Sequence, residues 1–124
     1  MRLRTGLFAL SAATALPILA FAILAAAFVV QGENEAFVAA AKARQALENI
    51  AAVLREAGAR PEHVVRMTWY VVDKREYLAA ARAVGAAYRE IIGAYNAAIT
   101  AVEVKALIED RARVEIECTA VVPE

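Results

Sequence analysis

The first regular pattern in the chain is a helical one, from Ala36 to Ala57, where apolar residues recur at steps of three and four positions. This spacing places an apolar stripe along one side of an α-helix and leaves the charged residues on the other side. Gly58 follows the pattern, and Pro61 cannot continue a helix, so the helix is predicted to end at this point. The apolar positions include Phe37, Ala40, Ala41, Leu47, Ile50, Ala51 and Leu54.

The pattern then changes to alternation in the stretch HVVRMTWYVVD. Alternating, β-branched and aromatic residues predict a strand over Val64–Val72. One predicted face carries Val65, Met67, Trp69 and Val71, and the other carries Arg66, Thr68, Tyr70 and Val72. Asp73 is predicted to cap the next helix, with Glu76 completing a capping box.

The remaining pattern predicts one further helix and two further strands. The helix runs from Lys74 to Ile92 and ends at Gly93, and the strands cover Thr100–Leu107 and Arg113–Val122. The element order α-β-α-β-β predicts an α+β domain with both helices on one face of a mixed sheet. The strands on either side of the second helix are predicted to pair in parallel, as a β-α-β crossover allows.

Three strands form a narrow sheet for two helices, so the second face of the sheet needs another cover. The N-terminal segment, another subunit or both can supply it. The pattern therefore indicates an oligomer.

The N-terminal segment has a different character, because residues 6–30 carry no charge and follow Met1-Arg2-Leu3-Arg4. About 20 apolar residues span a bilayer, and a basic flank is typical of an anchor or a signal. Pro17 and the many alanines weaken a purely transmembrane assignment, and the alternatives are a buried segment of an oligomer or a start that is not native to the fold. We therefore divide the chain into an apolar segment, 1–34, and an α+β domain, 35–124, with membrane association or export through residues 6–30 as one prediction.

Composition excludes several classes of function. The 14 Lys and Arg residues balance the 14 Asp and Glu residues, so no nucleic-acid partner is expected. One cysteine and one histidine exclude an internal disulfide and a Cys- or His-rich metal site, and we expect no metal and no cofactor. The cysteine, Cys118, alternates with Glu115 and Glu117, which predicts a buried apolar role for it.

Three stretches together resemble the RidA/YjgF family of small trimeric proteins: ARQALENIAAVLREAGARPEHVVRMTWYVVD, AYREIIG, and VEVKAL followed by RARVEIECTAVV. The resemblance extends from Ala36 to Pro123. It implies a chorismate-mutase-like α+β fold, a homotrimer, small-molecule clefts between subunits and, as the alternative to membrane association, a cytoplasmic location. Founding members of the family hydrolyse reactive enamines and imines to ketoacids and ammonia.

The chain departs from the family at positions that matter for chemistry. The deaminating members carry an arginine that holds the substrate carboxylate, and Ile99 stands at that position here. Gly85 stands where the family has an asparagine on the second helix. The Ser-Gly-Gln stretch of the family has no counterpart. With Ile99 at the arginine position and the stretch from Met67 to Leu78, the chain resembles an arginine-lacking branch of the family.

The acidic residue of the family's pocket corresponds to Glu115. Its carboxylate can serve as a general base for an attacking water. The resemblance therefore implies a site with Glu115 as the catalytic candidate and Ile99, Thr100, Gly85 and Tyr95 as ligand-binding candidates. Glu117 is predicted to be structural or to lie at a subunit contact. Without the arginine, we expect a pocket that binds a metabolite with weak or no imine deaminase activity; the alternative is a deaminase with altered substrate preference.

Overall fold

The structure is a computed structural model and describes residues 3–4, 31–94 and 97–124. From residue 35 onward its helices and strands follow the predicted order and confirm the α+β class. The second predicted helix is divided in two at Ala80. The elements are β1 (Leu3–Arg4), α1 (Gln31–Glu56), a 3-10 turn (Pro61–His63), β2 (Val64–Val71), α2 (Lys74–Ala79), α3 (Ala81–Ile91), β3 (Ala98–Glu103), β4 (Val114–Ala120) and β5 (Val122–Pro123).

The main sheet has three strands in the order β3-β2-β4, with β2 in the centre. β2 pairs in parallel with β3 and antiparallel with β4, so the predicted parallel partnership is confirmed. The short strands β1 and β5 form a separate antiparallel pair. The helices pack on one face of the main sheet, through contacts of α1 with β4 and of α1 with α2 and α3.

The core lies between this helix layer and the sheet. Trp69 is 3% exposed and meets the Tyr77 ring edge to face, with ring centroids 6.1 Å apart, so it lies in the core. Cys118 is also buried, as predicted. The largest fully buried side chains are Leu47, Ile50, Leu54, Met67 and Ile116.

Val65 lies on the other face from the one predicted, because β2 contains an irregularity near its start. The partners of Val64 and Arg66 on β4 are Ala120 and Thr119, so Val65 is an extra residue without a partner there. An extra residue in one strand shifts the alternation of the side chains. Val64 is consequently buried and Val65 is 47% exposed.

The ends of the helices follow the predicted signals. Asp73 accepts hydrogen bonds from the backbone N–H groups of Arg75 and Glu76, at 2.8 and 3.3 Å, and caps α2. Glu76 does not complete the predicted capping box; both oxygens of its carboxylate bind the Arg113 guanidinium instead, which ties α2 to the start of β4. Gly58 and Gly93 have φ values of 73° and 105°, the left-handed conformation that ends a helix and suits glycine.

The predicted division at residue 34 and the predicted anchor concern the N-terminal part of the chain. α1 begins at Gln31, three residues before the end of the predicted segment. Within the described residues, none of the helices has the length and apolar composition needed to cross a bilayer. Residues 6–30, on which the anchor prediction rests, lie outside the described residues, and the domain division stays a prediction.

Replacing a fully buried residue of β4 tests the assignment of the core. Ile116 is 0% exposed, and Ile116→Ala is expected to lower the free energy of unfolding by about 2–5 kcal/mol because it removes buried contacts and leaves a cavity. Urea denaturation followed by circular dichroism measures this loss. Val53→Ala, at a position that is 39% exposed, is the control and is expected to change stability far less. Equal losses in both variants would contradict the assigned core.

Candidate functional site

The candidate site lies on the face of the sheet opposite the helix layer, called the outer face below. Along β4, the buried residues alternate with half-buried ones, which places Glu115 and Glu117 on the outer face. The strand pairing aligns Glu115 with Tyr70, and Glu117 with Thr68. Because paired residues of neighbouring strands point to the same face, Tyr70 and Thr68 also lie on the outer face. Glu115 and Glu117 therefore lie on the same face of the sheet, as their alternation with Cys118 in the sequence predicts.

Tyr70 and Glu117 form the central contact of the outer face. The Tyr70 hydroxyl donates a hydrogen bond to Oε1 of Glu117 at 2.9 Å. Glu117 is the diagonal neighbour of Tyr70 across the two strands, a separation that an aromatic side chain can bridge. The bond fixes the orientation of this carboxylate, and the role predicted for Glu117, structural or at a subunit contact, stays a prediction.

The electrostatics of the outer face keep the Tyr70 hydroxyl protonated. The hydrogen bond to Glu117 is the largest cause that raises the pKa of Tyr70, followed by desolvation and by the negative charges of Glu117 and Glu115. The positive charge of Arg66 acts in the opposite direction. At neutral pH, Tyr70 is therefore a neutral hydrogen-bond donor between two carboxylates.

β3 brings one of the predicted ligand-binding residues to the outer face. Thr100 pairs with Thr68, which in turn pairs with Glu117 on the other side, so the three lie in one row across the sheet. Neighbouring strands lie about 4.8 Å apart, which separates Thr100 from Glu117 by roughly 10 Å at the backbone. Thr100 therefore faces Glu117 across the central strand.

Ile99 points to the opposite face from Glu115. It pairs with Met67, a core residue on the helix side of the sheet, and it is nevertheless 48% exposed because β3 lies at the edge of the described sheet. A single copy of the chain thus presents Ile99 and Glu115 on different faces. A pocket that contains both residues requires a second copy.

Of the other two predicted ligand-binding residues, the structure describes Gly85, and Gly85 does not lie on the outer face. Gly85 lies in α3, within the helix layer, and a Cβ added there would meet Nη1 of Arg89 at 3.4 Å. Tyr95 lies outside the described residues. A separate groove of about 510 Å³ between α1 and α3 is lined by other residues: Phe37, Ala40, Ala41, Arg44, Gln45, Glu48, Ala83, Ala86 and Ala87.

Two further groups have roles that do not involve the outer face. Burial raises the pKa of the Cys118 thiol to about 11, so the thiolate that acts as a nucleophile is scarce at neutral pH. Nδ1 of His63 accepts a hydrogen bond from the backbone N–H of Arg60 at 3.0 Å. Among residues 3–4, 31–94 and 97–124, no three His, Cys, Asp or Glu side chains lie close enough together to hold a metal ion.

The site prediction did not include Tyr70, which the structure places in direct contact with Glu117. The alternation of β2 assigns Tyr70 to the polar face of β2, and the alternation of β4 assigns Glu117 to the polar face of β4. What the sequence lacks is the strand register, which decides that the two side chains meet. A polar aromatic on the outer face of a central strand was the available signal.

Comparison with known proteins identifies the family. The model of the endoribonuclease L-PSP family matches residues 29–122, about three quarters of the chain. The RutC family protein slr0709 of Synechocystis sp. is 40% identical over 83 residues, which are 66% of this chain and 60% of that protein. The chain belongs to the family of L-PSP and YjgF proteins, the RidA/YjgF family, as its sequence predicted.

Solved structures of the family share the fold. The YjgF gene product of E. coli is 33% identical with a TM-score of 0.60, over 68% of this chain and 65% of that one. E. coli TdcF, solved with bound serine, is 27% identical with a TM-score of 0.58, over 66% of this chain and 63% of that one. The chain thus matches about 60% of the length of the curated relative and slightly more of these structures.

Glu117→Gln tests the electrostatic contact at Tyr70. The amide removes the negative charge, so the pKa of Tyr70 is expected to fall toward its ordinary value of about 10. The tyrosinate absorbance, titrated in the variant and in the wild-type chain, measures the shift. The same pair of titrations in a Tyr70→Phe background is the control and should show no difference.

The same contact makes stability depend on pH in the alkaline range. Because the pKa of Tyr70 is higher in the folded than in the unfolded chain, its contribution to stability is complete below about pH 10. It is lost as the pH rises through the folded-state pKa. The free energies of unfolding of the wild-type chain and of Tyr70→Phe, measured by urea denaturation, are therefore expected to converge in that range. A difference that stays constant with pH would contradict the contact.

Proposed function

We propose that this protein is a homotrimer of the RidA/YjgF family that binds a small metabolite in a pocket between subunits, with weak or no imine deaminase activity. One observation carries this proposal. The sheet presents Glu115 beside the Tyr70–Glu117 pair on a face that the helix layer does not cover. Among the residues that the structure describes, no helix covers this polar, ordered set of side chains, and such a set is suited to a ligand held against a second surface.

The exposed edge strand supports assembly of several copies. All six residues of β3 are exposed, including Ile99 and Val102 at 48% and 39%. In the described part of the chain, β3 has β2 as its neighbour on one side, and its other side is an unpaired edge. Apolar side chains on an open strand edge favour burial against another protein surface.

The opposite directions of Ile99 and Glu115 support a pocket shared between copies. The Ile99 side chain points to the helix side of the sheet, and the Glu115 side chain points to the outer face. If both line one cleft, as the family resemblance implies, one copy provides Ile99 and a neighbour provides Glu115. The serine bound in E. coli TdcF supports a small-molecule ligand for this fold.

Ile99 is the reason to expect little activity on iminoacids. A guanidinium fixes a carboxylate through two parallel hydrogen bonds, and an isoleucine side chain has no donor. An iminoacid would therefore be held less firmly, and the advantage of a fixed orientation for the attacking water would be lost. A ligand without a carboxylate does not need this contact.

A deaminase with altered substrate preference is the second candidate. Glu115 is half-buried, and a carboxylate in that position can accept a proton from water as it attacks an imine carbon. Tyr70, its partner across the strands, supplies a neutral hydroxyl nearby. These two groups favour hydrolysis of an imine that does not need the arginine.

Sedimentation equilibrium tests the assembly. The wild-type chain is expected to have three times the monomer mass. Val102→Lys places a charge on the exposed strand and should reduce the mass toward that of the monomer. Val53→Lys is a matched control on α1, because both valines are 39% exposed, and it should leave the mass unchanged. A monomeric wild-type chain would contradict the proposed function.

Imine hydrolysis tests the chemistry. Iminoacids generated by an amino-acid oxidase are expected to release ketoacid at close to the spontaneous rate in the presence of the wild-type protein. Ile99→Arg restores a guanidinium and is expected to raise this rate, and Glu115→Gln in the same background should remove the gain. A large acceleration by the wild-type chain that Glu115→Gln abolishes would instead establish the deaminase alternative.

A further inference from the structure

We propose that His63 is a pH-sensitive switch in the turn between α1 and β2. The neutral imidazole closes the turn, and the protonated imidazole releases it. The switch is separate from the proposed function, because it concerns the connection between two elements of the fold and not the outer face.

Two reciprocal hydrogen bonds close the turn. The His63 backbone N–H donates to the Arg60 carbonyl oxygen at 2.9 Å, and the Arg60 backbone N–H donates to Nδ1 of His63 at 3.0 Å. The second bond has the geometry of a capping box, in which a side chain of the first turn accepts the N–H of the residue before that turn. Glutamate or glutamine usually provides this acceptor. Here the acceptor is a ring that gains a proton.

The bond to Nδ1 exists only while the imidazole is neutral. A backbone N–H can only donate, so Nδ1 must be unprotonated and the proton of the neutral ring lies on Nε2. In the imidazolium both nitrogens are donors, so protonation would direct the N–H of Nδ1 at the N–H of Arg60. Imidazole is the side chain that changes its charge between pH 5 and 8, and His63 is only half-buried, so protons from the solvent reach it. The contact is therefore expected at pH 8 and not at pH 5.

The turn also holds the ends of two strands. β2 begins at Val64, directly after His63. The His63 carbonyl oxygen accepts a hydrogen bond at 2.9 Å from the backbone N–H of Val121, the residue between β4 and β5. Releasing the Arg60 N–H from the ring is therefore expected to loosen the turn and the attachment of Val121 together.

Charged groups close to the turn can also respond to pH, and the test must separate them from His63. Nε of Arg60 and Oε1 of Glu62 form an ion pair at 2.8 Å within the turn itself. The elements that meet at the turn carry further charged residues in the last turn of α1, in β2 and after β5: Arg55, Glu56, Arg66 and Glu124. A variant that lacks only the imidazole keeps all of these groups, so its difference from the wild-type chain reports His63.

Amide hydrogen exchange of the full-length protein, measured by NMR at pH 8 and at pH 5, tests the switch. Each rate is divided into the rate of an unstructured peptide at the same pH, which gives a protection factor. The protection of the Arg60 N–H is expected to be about fivefold lower at pH 5, as for the loss of one hydrogen bond, with a smaller decrease at Val121. The Gly93 N–H, which donates to the Tyr88 carbonyl oxygen at 3.1 Å at the end of α3, is the control and should keep its protection.

Two substitutions assign the effect to the ring. His63→Gln provides an acceptor that does not titrate, so the Arg60 N–H should stay protected at both pH values. His63→Leu provides no acceptor, so the Arg60 N–H should have the lower protection at both. The wild-type chain is expected to match His63→Gln at pH 8 and His63→Leu at pH 5.

The nitrogen chemical shifts of the His63 ring give a test that needs no substitution, and at pH 8 they should show the proton on Nε2. Three results would overturn the proposal: a proton on Nδ1 at pH 8, equal protection of the wild-type Arg60 N–H at both pH values, or the same decrease in His63→Gln as in the wild-type chain.

Discussion

The pairing of the central strand β2 with β4 is the constraint on which the rest of the structure depends. It aligns Met67 with Cys118 and Trp69 with Ile116 on the helix side, where all four are buried. The same register aligns Tyr70 with Glu115 on the outer face. A shift by one residue would exchange the two faces of a strand and place carboxylates against the helices, at a high desolvation cost. Core packing and the arrangement of the site are therefore fixed by one set of strand partners.

The site is built from what the core leaves on the other side of the sheet. The Tyr70–Glu117 hydrogen bond orders this face within one copy of the chain, and Ile99 points to the opposite face from Glu115. The pocket proposed above would therefore join residues of two copies.

The sequence patterns predicted most of the fold because each element carries a complete local signal. Asp73 caps α2, and Gly58 and Gly93 end helices in the left-handed conformation. One exception is the break of the second predicted helix at Ala80. Another is Val65, whose predicted face is wrong because an irregularity in the pairing with β4 makes it an extra residue. Nothing in the alternation of β2 indicates that irregularity, since it is a property of two strands and not of one. Of the candidate site, the common face of Glu115 and Glu117 follows from alternation alone.

By itself, the sequence determined the α+β class, the order of the elements and the polar faces of β2 from Arg66 onward and of β4, because these follow from the spacing of apolar residues along one segment. The family membership also followed from short stretches of sequence. Only the tertiary structure decided that Tyr70 meets Glu117, that Thr100 lies in the row of Glu117, and that Ile99 points to the helix side. These facts depend on the register between strands distant in the chain, and the packing of the whole core against the helices selects that register.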